Sequence, residues 1–369
     1  MIMEDRKNKC LFFTQQEMLP NDGATEKIIA QRDAINKLGI ECKLAHFGHS
    51  ENKWHFYIDN EIVCSESKYN NLYKRLVEYV VCNGISLLYV RYGVTARPSY
   101  NHTMSLLAKK GVRIFLEIPS YPYDGEIRQL SFKKKIKHFI EKFYRNRLKS
   151  SVYRIVTFST DDEIFGIPTI RISNAPARNL PMKKETPIVD SIQMIGVANI
   201  AFWHGYDRII RGLYNYYRGN NSEKVFLTIV GNGNAQCLSQ LKELTSELGL
   251  NEYVSFVGPK SSLELDGMFD NYHLAIGCLG CHRKNIIQIK SLKNVEYAMR
   301  GIPMVYSEDN TDFDEMPYVI KVPADESDID IKLLCDFVKN NKFVPSEIHE
   351  SVKNYSWENQ LKTVFHEFL

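Results

Sequence analysis

Short apolar runs alternate with helix-period patterns along nearly the whole chain, and this alternation limits the available folds more than any other feature. An apolar strand followed by an amphipathic helix is the βα unit. Repeated, it builds a mainly parallel sheet covered by helices. Cys10–Thr14 reads as a strand and Asn21-Asp22-Gly23 as a turn. Ala24, Ile28, Ile35 and Leu38 then fall on one helical face, and Gly39 stands where a helix C′ residue belongs. Further strands are expected at 42–45, 86–90, 112–117 and 154–158. Between Asn174 and Ser191 the rhythm stops at Pro176, Pro181 and Pro187, which reads as a linker. It restarts with strands at 192–197, 225–230, 254–257, 274–276 and 303–306. Helices are expected through Leu213, over 235–248 before Gly249, and up to Arg300 before Gly301. The expected architecture is α/β, with two doubly wound Rossmann-like domains over 1–180 and 181–350. A last amphipathic helix lies within 351–369. Open α/β sheets bind ligands beyond the carboxyl ends of their strands, so two such sheets facing each other would place a site in the cleft between them.

Composition narrows the function classes. Of 369 residues, 44% are hydrophobic and 25% charged, as in ordinary globular proteins, and a net charge of +3 gives no reason to expect nucleic acid. The charged start, Met1 to Lys9, lacks the apolar segment of a secretory signal. The longest apolar stretch, 76–90, is broken by Glu78, Asn83 and Gly84, so no run approaches the ~18 residues of a membrane span. Eight scattered cysteines without a signal suit reduced thiols and a cytoplasmic location.

The clearest local motif is Phe226-Leu-Thr-Ile-Val-Gly-Asn-Gly233 followed by a helix. A strand, a tight Gly turn and a helix N-terminus let backbone N–H groups approach an anion, although a plain strand–helix turn has the same pattern. Gln236 replaces the third Gly of a dinucleotide fingerprint, which argues against NAD. Ile195-Gly-Val-Ala-Asn199 with His204-Gly-Tyr-Asp-Arg208 comes before this motif. After it come Glu247-Leu-Gly-Leu250, Tyr253-Val-Ser-Phe-Val-Gly258 and Ser291-Leu-Lys-Asn-Val-Glu-Tyr-Ala-Met-Arg-Gly-Ile-Pro303. In this order the segments resemble the C-terminal domain of the GT-B glycosyltransferases of family 4.

The resemblance implies site roles. Glu296 matches the second glutamate of the family's E-x7-E signature, which binds the nucleotide ribose, and a carboxylate can accept both ribose hydroxyl protons. Ser291, Leu292 and Lys293 would face the diphosphate with backbone N–H groups and the Lys293 ammonium. Gly231 and Gly233 would line the donor. Gly23 would let the N-terminal backbone approach it. Gln288 stands where the first glutamate belongs, and Asn199 and His204 stand at the family's diphosphate-binding Arg and Lys. Arg283 and Lys284, on the loop after the 274–276 strand, are the expected replacement cations; a plain exposed basic loop is the alternative. Cys278-Leu-Gly-Cys281-His282 matches a haem-attachment pattern, but export is missing. A single C-x-x-C without a second ligand pair also argues against zinc, so no metal is expected.

In the N-terminal half, Glu117-Ile-Pro-Ser-Tyr-Pro-Tyr-Asp-Gly-Glu126 follows a strand. Glu117 is the candidate group near the anomeric centre, and Arg91, beside Tyr92, the candidate for an acceptor phosphate; a structural turn is the alternative for both. Over 132–149, Phe132, Ile136, Phe139, Ile140 and Phe143 recur at helical spacing. Among them lie Lys133, Lys134, Lys135, Lys137, Lys142, Arg145 and Arg147, against the single acid Glu141. Two readings stay open: a helix resting on an anionic membrane, and a solvated helix packed on its own core. A C-terminal helix carrying Trp357, Leu361, Val364, Phe365 and Phe368 would return to the first domain, as in the family.

The expected activity is transfer of a sugar from a nucleoside-diphosphate donor to a glycan or lipid-linked glycan acceptor, as in cell-surface polysaccharide synthesis. No cofactor is needed beyond the donor substrate, and the resemblance implies retention. A nucleotide-sugar epimerase and an inactive GT-B scaffold protein are the alternatives, the second because of Gln288, Asn199 and His204.

Overall fold

The computed structural model describes residues 8–19, 22–125, 132–219 and 221–369. The expected turn residue Asn21 and the loop acid Glu126 lie outside them, as do the side chains of Lys133 and Lys134. The chain divides into two compact units: residues 1–173 with 356–369, and residues 174–355.

The first unit contains β1 (Lys9–Thr14), α1 (Gly23–Lys37), β2 (Glu41–Ser50), β3 (Lys53–Ile58), β4 (Glu61–Glu66), α2 (Tyr69–Cys82) and β5 (Leu87–Arg91). It continues with α3 (Pro98–Lys109), β6 (Arg113–Ile118), α4 (Phe132–Tyr144), β7 (Arg154–Thr157), β8 (Glu163–Ile164) and β9 (Ile167–Arg171). Its sheet has the order β4-β3-β2-β1-β5-β6-β7-β9-β8. Pairing is parallel from β2 through β1, β5, β6 and β7 to β9. At the other edge β2, β3 and β4 form an antiparallel meander. That meander escaped the sequence reading, which ended the second strand at residue 45. Its two-residue turns, Glu51-Asn52 and Asp59-Asn60, have φ of +50°, +59° and +47°, +70°. Positive φ at both central residues is the type I′ pattern, made here without the usual glycine.

The second unit contains β10 (Ser191–Val197), α5 (Tyr206–Arg218), β11 (Lys224–Val230), α6 (Ala235–Glu247), β12 (Val254–Gly258) and α7 (Ser262–Met268). Then come β13 (Leu274–Ile276), α8 (Leu292–Arg300), β14 (Met304–Tyr306), β15 (Val319–Lys321), α9 (Ile331–Asn340) and α10 (Pro345–Ser351). Its sheet is parallel throughout, in the order β12-β11-β10-β13-β14-β15. Successive residues of a strand point to opposite faces. Met194, Ile229 and Leu274 therefore enter one apolar core while Ile195, Val230 and Ala275 enter another. Both faces are covered, which is why these strands read as continuous apolar runs.

The last helix, α11 (Trp357–Phe365), belongs to the first unit. Its Phe365 ring lies 5.2 Å from Phe115 and 6.0 Å from Tyr89. No helix among the described residues is long and apolar enough to cross a membrane.

Candidate functional site

The loops at the carboxyl ends of the second sheet lock one another in place. Ala198 N–H donates to Val230 at 3.0 Å and Asn234 N–H to Ile200 at 2.9 Å. A Cβ added to Gly231 would lie 1.8 Å from the Ala198 oxygen, and one on Gly233 2.2 Å from that of Ile200. The neighbouring backbone thus requires both glycines, whatever ligand they meet. At Gly23, the first residue of α1, an added Cβ would meet nothing within 4 Å, and Asp22 caps that helix by accepting from Thr25 N–H at 2.9 Å.

Helix α8 is held at its middle and at its C-terminal end. The Tyr297 hydroxyl donates to Ile276 at 3.1 Å and accepts from Val197 N–H at 3.0 Å, tying the helix to the ends of β13 and β10. Gly301 ends it at φ +75°, where a Cβ would lie 2.5 Å from the Pro345 oxygen. At its start Ser291 occupies the N-cap position, but its hydroxyl makes no capping bond. A helix N-terminus carries unmatched N–H groups and partial positive charge, so this end is open to an anion.

Lys293, in the first turn, buries its Nζ without a hydrogen-bond partner. Burial works against its charge, yet Cys278, Tyr297, Glu308 and Cys281 around it raise its pKa above the ordinary value. Glu296 follows one turn later on the same helix, half-buried. Asn199 is exposed on the loop after β10. His204 is buried, and its Nδ1 accepts from Ala201 N–H at 3.0 Å. Burial, and then the nearby Lys293 charge, push its pKa down to about 2. The imidazole is therefore neutral, with Nδ1 also 3.2 Å from the Ala201 carbonyl oxygen. Position 204, expected to face the diphosphate, thus carries no charge.

Arg283 does not serve as a free replacement cation. Its guanidinium gives Nε–H to Glu326 at 2.9 Å, Nη1 to Asp207 and the Phe202 carbonyl at 2.8 Å each, and Nη2 to Asp207 at 2.8 Å and Glu326 at 2.6 Å. These bonds use all five of its N–H donors. Lys284 is buried, with Nζ 4.2 Å from the Trp203 ring centroid. Neither residue is the exposed basic loop of the alternative reading. One strong positioning residue carried no assigned role in the sequence: Arg208, fully buried, donates to Ser327 at 2.7 Å and Pro323 at 2.9 Å and also to Leu279. It joins the loops after β13 and β15.

In the first unit Glu117 is completely buried. It accepts from Gln31, Tyr89 and Arg91, each at 2.6 Å. Burial opposes its charge, but Arg91 and Lys27 and these hydrogen bonds hold its pKa below the ordinary value. The geometry makes it an internal anchor in place of the expected group at an anomeric centre, because no oxygen of it is reachable. Arg91 is drawn into the same cluster.

Helix α4 turns its polar side inward. Glu141 is buried and accepts from Tyr92 at 2.6 Å and Tyr123 at 2.7 Å, while His138 meets Asp124 at 3.0 Å. Phe132, Phe139 and Phe143 are 78%, 75% and 63% exposed, and Ile136 and Ile140 are exposed beside them. The apolar stripe does not pack on the core of this unit.

No known family model matches the chain, and no curated protein matches it. Solved structures do. A glycosyltransferase from Rickettsia africae superimposes with a TM-score of 0.67 over 98% of both chains, at 13% identity. Sucrose-phosphate synthase from Thermosynechococcus elongatus gives 0.68 over 98% of this chain and 99% of its own, at 12% identity. The Anabaena protein HepE, solved with UDP, gives 0.59 over 98% and 100%, at 12% identity. HepE has also been solved with UDP-glucose. The chain therefore has the GT-B fold, with two parallel-sheet α/β domains.

Proposed function

We propose that this protein is a glycosyltransferase that takes a sugar from a nucleoside-diphosphate donor held by its second unit. The carrying observation is the start of α8. A helix end whose N-cap hydroxyl is unused, a buried ammonium without a hydrogen-bond partner in the first turn and a half-buried carboxylate one turn later fit a diphosphate followed by a ribose. As the sugar–phosphate bond breaks, negative charge grows on the leaving diphosphate. Fixed N–H groups and the field of Lys293 would stabilise that charge without reorganising. One neighbour of the same fold, HepE, solved with UDP and with UDP-glucose, supports this donor class. Membership of glycosyltransferase family 4, and with it retention, rests on the sequence segments named above.

The acceptor we propose is a glycan or lipid-linked glycan at an anionic membrane surface. The outward apolar stripe of α4, with exposed Lys135, Lys137 and Lys142 beside it, supports a helix lying in the lipid headgroup layer. Such a protein would work at the cytoplasmic face of a membrane.

A panel of nucleoside diphosphates and nucleotide sugars, read by thermal shift and by sugar release or transfer, tests the reading. A ligand of the native state raises the melting temperature by mass action. Stabilisation by one diphosphate, with turnover of its sugar onto an added acceptor, is expected. Conversion of a nucleotide sugar without an acceptor would indicate an epimerase. Binding without any turnover would indicate a scaffold protein.

A further inference from the structure

The sequence offers Cys278 and Cys281 without a second ligand pair, and the fold supplies a third group. Glu308, just beyond β14, reaches the same point as the two cysteines of the loop after β13. The two sulfurs and a carboxylate oxygen all lie within 4.8 Å of one another. Among the described residues this is the one group of three or more such side chains so placed. All three are buried, at 7%, 3% and 1% exposure. We propose that Cys278, Cys281 and Glu308 bind a thiophilic divalent cation, zinc being the physiological candidate.

Three observations carry this. The first is an unmatched atom: Glu308 Oε2 is buried with no hydrogen-bond partner, while Oε1 is only weakly held by Asn294 Nδ2 at 3.4 Å. A buried carboxylate oxygen left unmatched is costly, and a cation would satisfy it. The second is spacing. Tetrahedral zinc takes sulfur at about 2.3 Å and carboxylate oxygen at about 2.0–2.2 Å, so its ligand atoms lie less than about 4 Å apart, a spacing that falls within the 4.8 Å limit inside which these three atoms lie. The third is rigidity. Ser307 N–H donates to the Cys278 carbonyl at 2.9 Å and Asp309 N–H to Ile287 at 2.8 Å, so the two ligand-bearing loops are already joined by backbone.

Each thiol releases its proton to solvent as the ion binds, and nothing is oxidised. Two thiolates select a soft or borderline ion over magnesium or calcium, which prefer oxygen ligands. The inference does not rest on the proposed transferase activity, since the ion's ligands are separate from Glu296 and the start of α8 proper.

Metal content decides it. The full chain, produced with zinc in the medium and purified under reducing conditions, should hold one zinc per chain by elemental analysis. Cys278→Ser, Cys281→Ser and Glu308→Gln should each weaken binding by at least the roughly 10-fold that loss of even an outer-shell partner causes. Cys237→Ser, which lies outside the cluster, should leave binding unchanged. Chelation should lower the melting temperature of the wild type alone. Equal zinc in wild type and the three variants would overturn the proposal. So would a zinc-free protein in which Cys278 and Cys281 join in a disulfide once reductant is replaced by air, which would mark a redox pair instead. If the variants fail to fold, cobalt in the wild-type protein decides: tetrahedral thiolate bands support the site, and their absence refutes it.

Discussion

Arg283 and Asp207 form a two-point ion pair, with Nη1–Oδ1 and Nη2–Oδ2 both at 2.8 Å, between the turn after β13 and the first turn of α5. Burial alone would raise the Asp207 pKa, and the guanidinium lowers it below the ordinary value. With Glu326 on its other edge, Arg283 joins three loops. Arg283→Ala should therefore lower stability by about 1.5–3 kcal/mol, the range for hydrogen bonds to a charged group. Arg283→Lys should recover little of it, because an ammonium cannot form the planar fork. Urea unfolding measures both. A fully stable Arg283→Ala protein that has lost only donor binding would restore the phosphate role expected from sequence.

Glu296 has the opposite profile. If it accepts ribose hydroxyls, Glu296→Ala should weaken nucleoside-diphosphate binding by about 1.5–3 kcal/mol while the melting temperature hardly moves. Calorimetric titration of a folded variant reads this directly, and unaltered affinity would end the assignment.

Glu117→Ala should be severely destabilising. It leaves Arg91, Tyr89 and Gln31 facing an empty buried site, and removing one partner of a buried pair costs about 3–5 kcal/mol. If Glu117→Gln instead folds normally and only turnover is abolished, the residue acts in chemistry after all.

Lys27 supplies a pH dependence. It is buried on α1 with Nζ 4.0 Å from the Phe158 ring centroid, and burial pulls its pKa from 10.5 to about 7. Between those values the unfolded chain binds more protons than the folded one, so stability rises with pH across that window. The slope is at most about 1.4 kcal/mol per pH unit. Below pH 7 the penalty is fully present, and it is gone above about 10.5. Denaturation curves at pH 7 and pH 9 should show wild type gaining on Lys27→Met. Parallel behaviour of the two proteins would mean that Lys27 keeps an ordinary pKa.

The α4 surface makes a split prediction. Phe139→Ser with Phe143→Ser should abolish sedimentation with anionic liposomes without loss of stability, because both rings are exposed. Lys135→Glu with Lys137→Glu should weaken binding most at low salt, where the Debye length exceeds the ~8 Å of physiological ionic strength. Glu141→Ala should destabilise the unit, since it strips the Tyr92 and Tyr123 hydroxyls of their acceptor. A wild-type protein that ignores anionic liposomes at low salt would leave the stripe without a membrane role.

The fold was legible because its signals are local. Period-2 and period-3.6 patterns, with Gly39, Gly249 and Gly301 at helix ends, placed β1, α1, β10, β11, α6 and β14 within a residue or two of where they lie. The β3–β4 meander was not legible, because its I′ turns use Glu-Asn and Asp-Asn in place of the glycine that marks such turns in a sequence.

What the sequence by itself determined is the order of elements and the residue types at each strand's carboxyl end. Tertiary structure alone decided what those residues face. An aromatic stripe at helical spacing normally marks the core, yet in α4 the hydrogen bonds of Glu141 and His138 turned that stripe outward. Arg283 reads as an available cation until Asp207 and Glu326 arrive from elements 76 and 43 residues away along the chain. Cys278 and Cys281 read as a coincidence until β14 delivers Glu308 beside them. In each case the side chain's partner is distant in sequence, and only the folded unit brings the two within bonding reach.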